Sequence, residues 1–254
     1  MLGNYMIEVD VKDDSKISRY LDLTKFLDFV HFNHLYFRQV DKYDDVFEGC
    51  YPKPTYDLAK GIKKTGAVGV PSNKGIVENT KYRRKSSYVS CWTLSAHENM
   101  GMWNVYSGRN GLAIQTTVSV LKRELEIAPS KNHDDIHMII RLINLEFAGI
   151  RYIDHISSEF ISKPIFYKNI GYSYENEVRF LYDTGTWPSL HPRLGDGFFI
   201  KMDAKKIIEK ILVSPTAEEW FFELVRGILS KYGLDDRVFW SGLRFPPYNE
   251  TEFQ

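Results

Sequence analysis

No apolar run in this chain reaches the about 18 residues that a membrane-spanning helix needs, and its strongest apolar and aromatic stretches are short. Ser86 to Trp92 (SSYVSCW), Leu112 to Thr116 and Tyr174 to Tyr182 (YENEVRFLY) are strand-length runs bounded by turn residues, which form strands more readily than helices. Helical spacing lies between them. Leu23, Phe26, Leu27 and Val30 share one face, with Thr24 as the expected N-cap, and His97 to Tyr106, Val118 to Leu125, Asp134 to Phe147 and Thr216 to Tyr232 are the further helices. Leu35 to Arg38, Ile150 to Ile153, Phe198 to Met202, Ile207 to Val213 and a segment near Val238 complete the strands. Strands at irregular spacing with helices among them predict an α+β fold with mixed or antiparallel β-structure, not a regular βαβ winding. One domain over residues 1–254 is expected, because a chain of this length buries roughly 70% of its unfolded surface without a disulfide or metal staple.

Charge narrows the function classes. The 33 basic and 33 acidic side chains cancel, which argues against a polyanion binder that uses its whole surface. One local departure exists: Lys53 to Lys85 holds nine Lys/Arg and two acids, interleaved with glycines, and reads as a basic loop or insertion. Arg83, Arg84 and Lys85 at its end are the candidate contacts to a nucleic-acid or protein partner. Two cysteines, Cys50 and Cys91, fit a reducing compartment and leave neither a disulfide scaffold nor a four-cysteine zinc site. The first ten residues lack the basic start and apolar stretch of a signal peptide, so a cytoplasmic location without membrane attachment is expected.

Three constellations carry chemistry. In a strand, Glu175 and Glu177 would project to one face while Val178 and Phe180 turn to the core. Paired carboxylates at a cleft can stabilise a cationic transition state and steer a nucleophile, and the plainer reading is a solvated strand edge with Arg179 as partner. Ser90, followed by a helix with Trp103 and Tyr106, can offer a hydroxyl and stacking rings to a flat heterocycle, or can simply fill a core. Arg19, beside Tyr20 in an apolar strand start, must reach water or find an anion. Weaker signals are His133 and His137 at i,i+4 and the acids Asp41, Asp44, Asp45 and Glu48, which read as caps and turns before they read as a cation site. Cys91 in an apolar strand reads as a core residue more readily than as a nucleophile.

The segments RYLDLTKFLDFV, LYFRQVDKYDDVFEG, VSCWTLSAHENMGMWNVYSGRNGLAIQTT, RYID, FYKN, YENEVRFLY and VSPTAEEWF closely resemble the bacterial domain-of-unknown-function family 2971 over about Ile17 to Val238. A more distant resemblance is to ADP-ribosyltransferases of the Arg-Ser-Glu type, in which an arginine, a serine and an E-x-E glutamate pair follow in this order. That resemblance implies an ADP-ribosyltransferase-like fold and NAD as substrate, with no metal. It implies Arg19, or equally Tyr20, at the NAD phosphates or ribose and Ser90 beside the nicotinamide, and the stacking rings of Trp103 and Tyr106 join them as candidate NAD contacts. Glu177 would hold the nicotinamide ribose and Glu175 would direct the acceptor. It further implies transfer of ADP-ribose to a macromolecule or hydrolysis of NAD, as a toxin or phage-defence effector would perform. Cys91-Trp92-Thr93 stands after Ser90 where that family usually has Ser-Thr-Ser. The competing reading is a non-enzymatic module that binds nucleic acid or a small ligand through an aromatic cleft and the basic loop.

Overall fold

A computed structural model describes residue 9 and residues 11–65, 73–94, 97–131, 134–141, 143, 145–158, 161, 163–185 and 194–245. The chain order begins β1 (Lys16–Asp22), α1 (Leu23–Phe32), β2 (His34–Gln39), α2 (Lys53–Thr65), α3 (Asn73–Ser86) and β3 (Ser87–Leu94). A short helix (Met100–Met102) runs into a π-helical turn (Trp103–Ser107), followed by β4 (Gly111–Thr117), α4 (Val118–Lys131), α5 (Asp135–Ile140), β5 (Leu145–Gly149) and β6 (Arg151–Ile153). Then come β7 (Tyr167–Asn169), a 3₁₀ segment (Ile170–Glu175), β8 (Glu177–Asp183), β9 (Gly197–Lys201), α6 (Ala204–Ile207), β10 (Lys210–Val213), α7 (Glu219–Ser230) and β11 (Val238–Trp240). The architecture is α+β with mixed strand pairing, and the chain divides into two compact units.

The first unit draws on residues 1–11, 35–91 and 125–200. Here β5 and β8 pair antiparallel from Leu145↔Tyr182 to Gly149↔Val178, β8 also lies beside β3, and β2 pairs antiparallel with β3 through Arg38↔Val89. Strands β6 and β7 make a small parallel pair. Side chains of Val40, Val89, Ile150, Ile165, Phe166 and Leu181 form one core cluster, and a second packing centre stacks Phe37 on Phe198 at 5.6 Å.

The second unit draws on residues 12–34, 92–124 and 201–254. β1 runs antiparallel to β4 along its whole length, β4 to β10, and β10 parallel to β11. Helix α1 starts one residue before the expected cap: the Asp22 carboxylate, not the Thr24 hydroxyl, accepts from Lys25 N at 2.8 Å. Asn33 ends it in the left-handed region at φ 52°, and its own carbonyl and side-chain oxygen then accept from Met202 N and Ala204 N. At Gly111 a Cβ would run into the Ser107 backbone, so the π-turn can close onto β4 only because the residue lacks one.

Two expectations are corrected. The stretch Lys53 to Lys85 is not a loop where it is described, but the helices α2 and α3, tied together by the Tyr56 and Thr80 hydroxyls at 3.1 Å. Asp57 supports α2 by pairing with Lys53 at 2.5 Å one helical turn earlier. The long helix expected from Asp134 to Phe147 stops at Ile140, and Leu145–Gly149 is a strand instead, because it completes the backbone hydrogen bonding of β8.

Candidate active site

In the first unit, β7, β8, the 3₁₀ segment and the Asp41–Gly49 loop bring five ionisable side chains together out of water. Arg179 is fully buried, and Glu48, Glu175, Glu177 and Lys168 are each at most 5% exposed. Arg179 grips Glu177 with two nitrogens, Nε to Oε1 at 2.6 Å and Nη2 to Oε2 at 3.1 Å. Its Nη1 donates to Glu48 Oε1 and, at 2.6 Å, to the Ile165 carbonyl. Lys168 Nζ donates to Glu175 Oε2 at 2.5 Å and to Glu177 Oε2 at 3.3 Å, with Glu48 Oε2 at 3.9 Å and the Tyr172 ring at 4.8 Å. The Tyr152 hydroxyl accepts from Glu177 N at 2.8 Å.

Local structure explains the convergence. Alternation along β8 puts Glu177 and Arg179 on one face. Glu175 reaches the same place by a different route: it ends the 3₁₀ segment, and Asn176 at φ 41° swings the chain so that both carboxylates meet Lys168. The expected solvated strand edge is therefore absent at this position, and both carboxylates lie in the interior.

Three acids against two bases leave the cluster with a formal charge of −1. Burial by itself would raise the Glu177 carboxyl, but Arg179 and Lys168 outweigh it and bring it down to about 2. Burial works against protonated Lys168 as well, and there the surrounding carboxylates, Glu177 first, win and raise it. Burial and the Glu177 charge push the Cys91 thiol up, which keeps it protonated and unsuited to act as a nucleophile.

Acid should weaken this unit by two routes with the same sign. A depressed carboxyl such as Glu177 contributes stability that is present above its ordinary value of 4.5 and lost as pH falls from there toward about 2. His155 is buried beside Phe47, burial lowers its pKa below 6.5, and neither ring nitrogen has a hydrogen-bond partner among the described residues. Below that pH the unfolded chain takes up a proton that the folded one refuses. Urea midpoints are thus expected to fall from pH 7 downward and to keep falling below pH 4.5. A flat midpoint between pH 4.5 and 2.5 would show that Glu177 is not held ionised.

Ser90 is 1% exposed on β3. Its neighbour Cys91 is the residue that meets the carboxylate cluster, touching Glu177 and lying 3.4 Å from the Tyr43 hydroxyl. Strand alternation then turns the Ser90 hydroxyl to the opposite face of β3. In the second unit, Tyr20 and Trp103 pack edge to face at 4.9 Å and are 5% and 1% exposed, so both serve the core. The Tyr20 hydroxyl accepts from Asn99 N at 3.2 Å, and Trp103 Nε1 donates to Glu98 Oε2 at 3.1 Å. Tyr106 remains 41% exposed on the π-turn, and the Arg19 guanidinium lies 5.8 Å from the centre of the Trp92 ring.

Lys168 and Glu48 were not expected at the site. Nothing in FYKN singles out its lysine, and Glu48 looks like one more acid in a turn-rich loop. Of the acids weighed for a cation, Asp45 accepts from Phe47 N at 2.9 Å as a local turn and Glu48 is committed to Arg179. Among the described residues no group of three or more His, Cys, Asp or Glu is placed to hold a metal ion. His133 lies outside the described residues, and His137 is buried with Nδ1 2.7 Å from Asp134. No helix among the described residues is long and apolar enough to cross a membrane.

Compared with models of protein families, with curated proteins and with solved structures, the chain matches none. The resemblances stated above rest on sequence motifs alone.

Proposed function

We propose that this chain is an NAD-using enzyme of the ADP-ribosyltransferase type, with Glu177 acting on the nicotinamide ribose and Glu175 directing the nucleophile. The observation that supports it most is the burial of this E-x-E pair with three further ionisable side chains, Glu48, Lys168 and Arg179. A buried ion cluster rarely improves on apolar packing of the same volume, and titratable groups perturbed by burial and charged partners mark candidate functional sites. In the proposed reaction the bond between ribose C1′ and the nicotinamide nitrogen breaks, and its electron pair leaves with neutral nicotinamide. Positive charge spreads over the ribose ring, and water or an acceptor hydroxyl or amine attacks C1′ and loses its proton. Arg179 keeps Glu177 ionised, and the Lys168 contact at 3.3 Å is longer than either Arg179 contact, so it is the one that a ribose hydroxyl would replace. The biological setting proposed is a cytoplasmic toxin or phage-defence effector. Chromatographic measurement of nicotinamide released from NAD by the purified protein tests this reading. Release above the uncatalysed rate is expected, and its absence, with and without cell-extract acceptors, overturns it.

A second reading, a nucleic-acid-binding module, is favoured by the exposed Lys81 and Lys85 on α3. Arg84 belongs less to that surface, since its Nη1 lies 3.7 Å from the half-buried Cys50. If α3 meets phosphates, affinity for a single-stranded oligonucleotide should fall steeply between 50 and 200 mM salt, because bound phosphates release counterions. Lys81→Glu with Lys85→Glu should weaken binding at least tenfold and leave the thermal midpoint within a few degrees. Affinity indifferent to salt and to this double change leaves α3 as a solvated helix.

A further inference from the structure

The second unit contains an open pocket of about 510 Å³ that none of the roles above uses. Its floor is one face of the β4, β10 and β11 ribbon. Gln115 stands opposite Lys210 and Leu212 opposite Phe239, so alternation delivers these four side chains to the same side. The rim is held by one carboxylate: Glu98 accepts from Trp103 Nε1 at 3.1 Å, from Gly242 N at 2.7 Å and from the Ser241 hydroxyl. Three donors engage its two oxygens, which makes Glu98 a fixed strut of the rim.

The remaining lining divides into an apolar surface and a cation. Phe239 and Leu243 are 45% and 46% exposed, far more than packing would leave them, while Leu212 closes the floor. Trp240 offers no ring face, because Phe222 stacks on it at 4.5 Å and the Arg244 guanidinium lies 3.7 Å from its centre. Lys210 Nζ stands 5.5 Å above the Phe239 ring, with His97 on the rim.

We propose that this pocket binds a flat aromatic compound carrying an anionic group, with the ring packed on Phe239 and Leu243 and the carboxylate or phosphate against Lys210. The apolar floor selects the ring, and the ammonium beside it selects the charge. Such a site is separate in its residues from the carboxylate cluster.

Calorimetry with 2-naphthoate, 2-naphthyl phosphate and uncharged 2-naphthalenemethanol tests the proposal on the full chain. For about 13 non-hydrogen atoms a dissociation constant on the order of 1 mM is expected for naphthoate. The alcohol should bind at least fivefold more weakly, and comparison of the two anions tells a carboxylate site from a phosphate site. Lys210→Glu should weaken naphthoate at least tenfold and spare the alcohol, whereas Phe239→Ala should weaken both. Both side chains are exposed, so circular dichroism and thermal midpoints should stay at wild-type values. Binding of neither anion at 10 mM, binding of the anions no tighter than that of the alcohol, or anion binding indifferent to Lys210→Glu overturns the proposal. Nicotinamide release plays no part in this readout, so it fails or holds independently of the NAD reading.

Discussion

Arg179→Met is expected to cost about 3 to 5 kcal/mol of stability, the usual penalty for removing one partner from a buried ion pair. The guanidinium serves Glu177 twice, Glu48 once and the Ile165 carbonyl once, and it has no exposure to solvent. Methionine fills much of the volume but supplies no donor. Two carboxylates would then share the single cation Lys168 with Glu175. Pairing the change with Glu177→Leu should recover part of the loss, because fewer stranded charges remain, and urea unfolding of the two single variants and the double variant measures this coupling. A cost below about 1 kcal/mol would mean that water screens the cluster, contrary to its burial.

Glu177→Gln carries the second large effect. If the carboxylate meets an oxocarbenium-like ribose, the interaction exists mainly in the transition state, so turnover should fall by roughly two to three orders of magnitude with little change in NAD affinity. Glu175→Gln should spare nicotinamide release to water and reduce transfer to an acceptor. The amide keeps the shape of the acid and can still accept from Arg179 Nε, but its NH2 faces the donors Arg179 Nη2 and Lys168 Nζ, so a folded variant is first confirmed by its thermal midpoint. Release that proceeds at the wild-type rate in a folded Glu177→Gln protein removes Glu177 from the chemistry. In that case the cluster is architectural, and Arg179 with its carboxylates serves only to join β8 to the Asp41–Gly49 loop.

The α+β class and the cores of β3, β4 and α7 were legible in the residues. Those segments combine a clear period with turn residues at their ends, so local preference and burial point the same way. Lys53–Thr65 and Asn73–Ser86 were not legible as helices. Gly61 and Gly75 with many lysines resemble a loop, and what favours the helix is i,i+4 pairing and the Tyr56 to Thr80 contact between the two elements. Likewise Leu145–Gly149 has the composition of a helix end, and becomes a strand only because β8 offers it an unpaired edge.

For the candidate site, the sequence by itself determined the residue types: two glutamates flanking one asparagine, with an arginine two further on. Tertiary structure alone decided their state. Glu48 reaches Arg179 across 131 residues of sequence, Lys168 arrives on a separate strand, and Asn176 breaks the strand that would have set Glu175 beside Glu177 by alternation. Whether a carboxylate is solvated or buried, and which cation holds it, depends on what packs against it, and an ion pair carries no period along the chain from which that could be read.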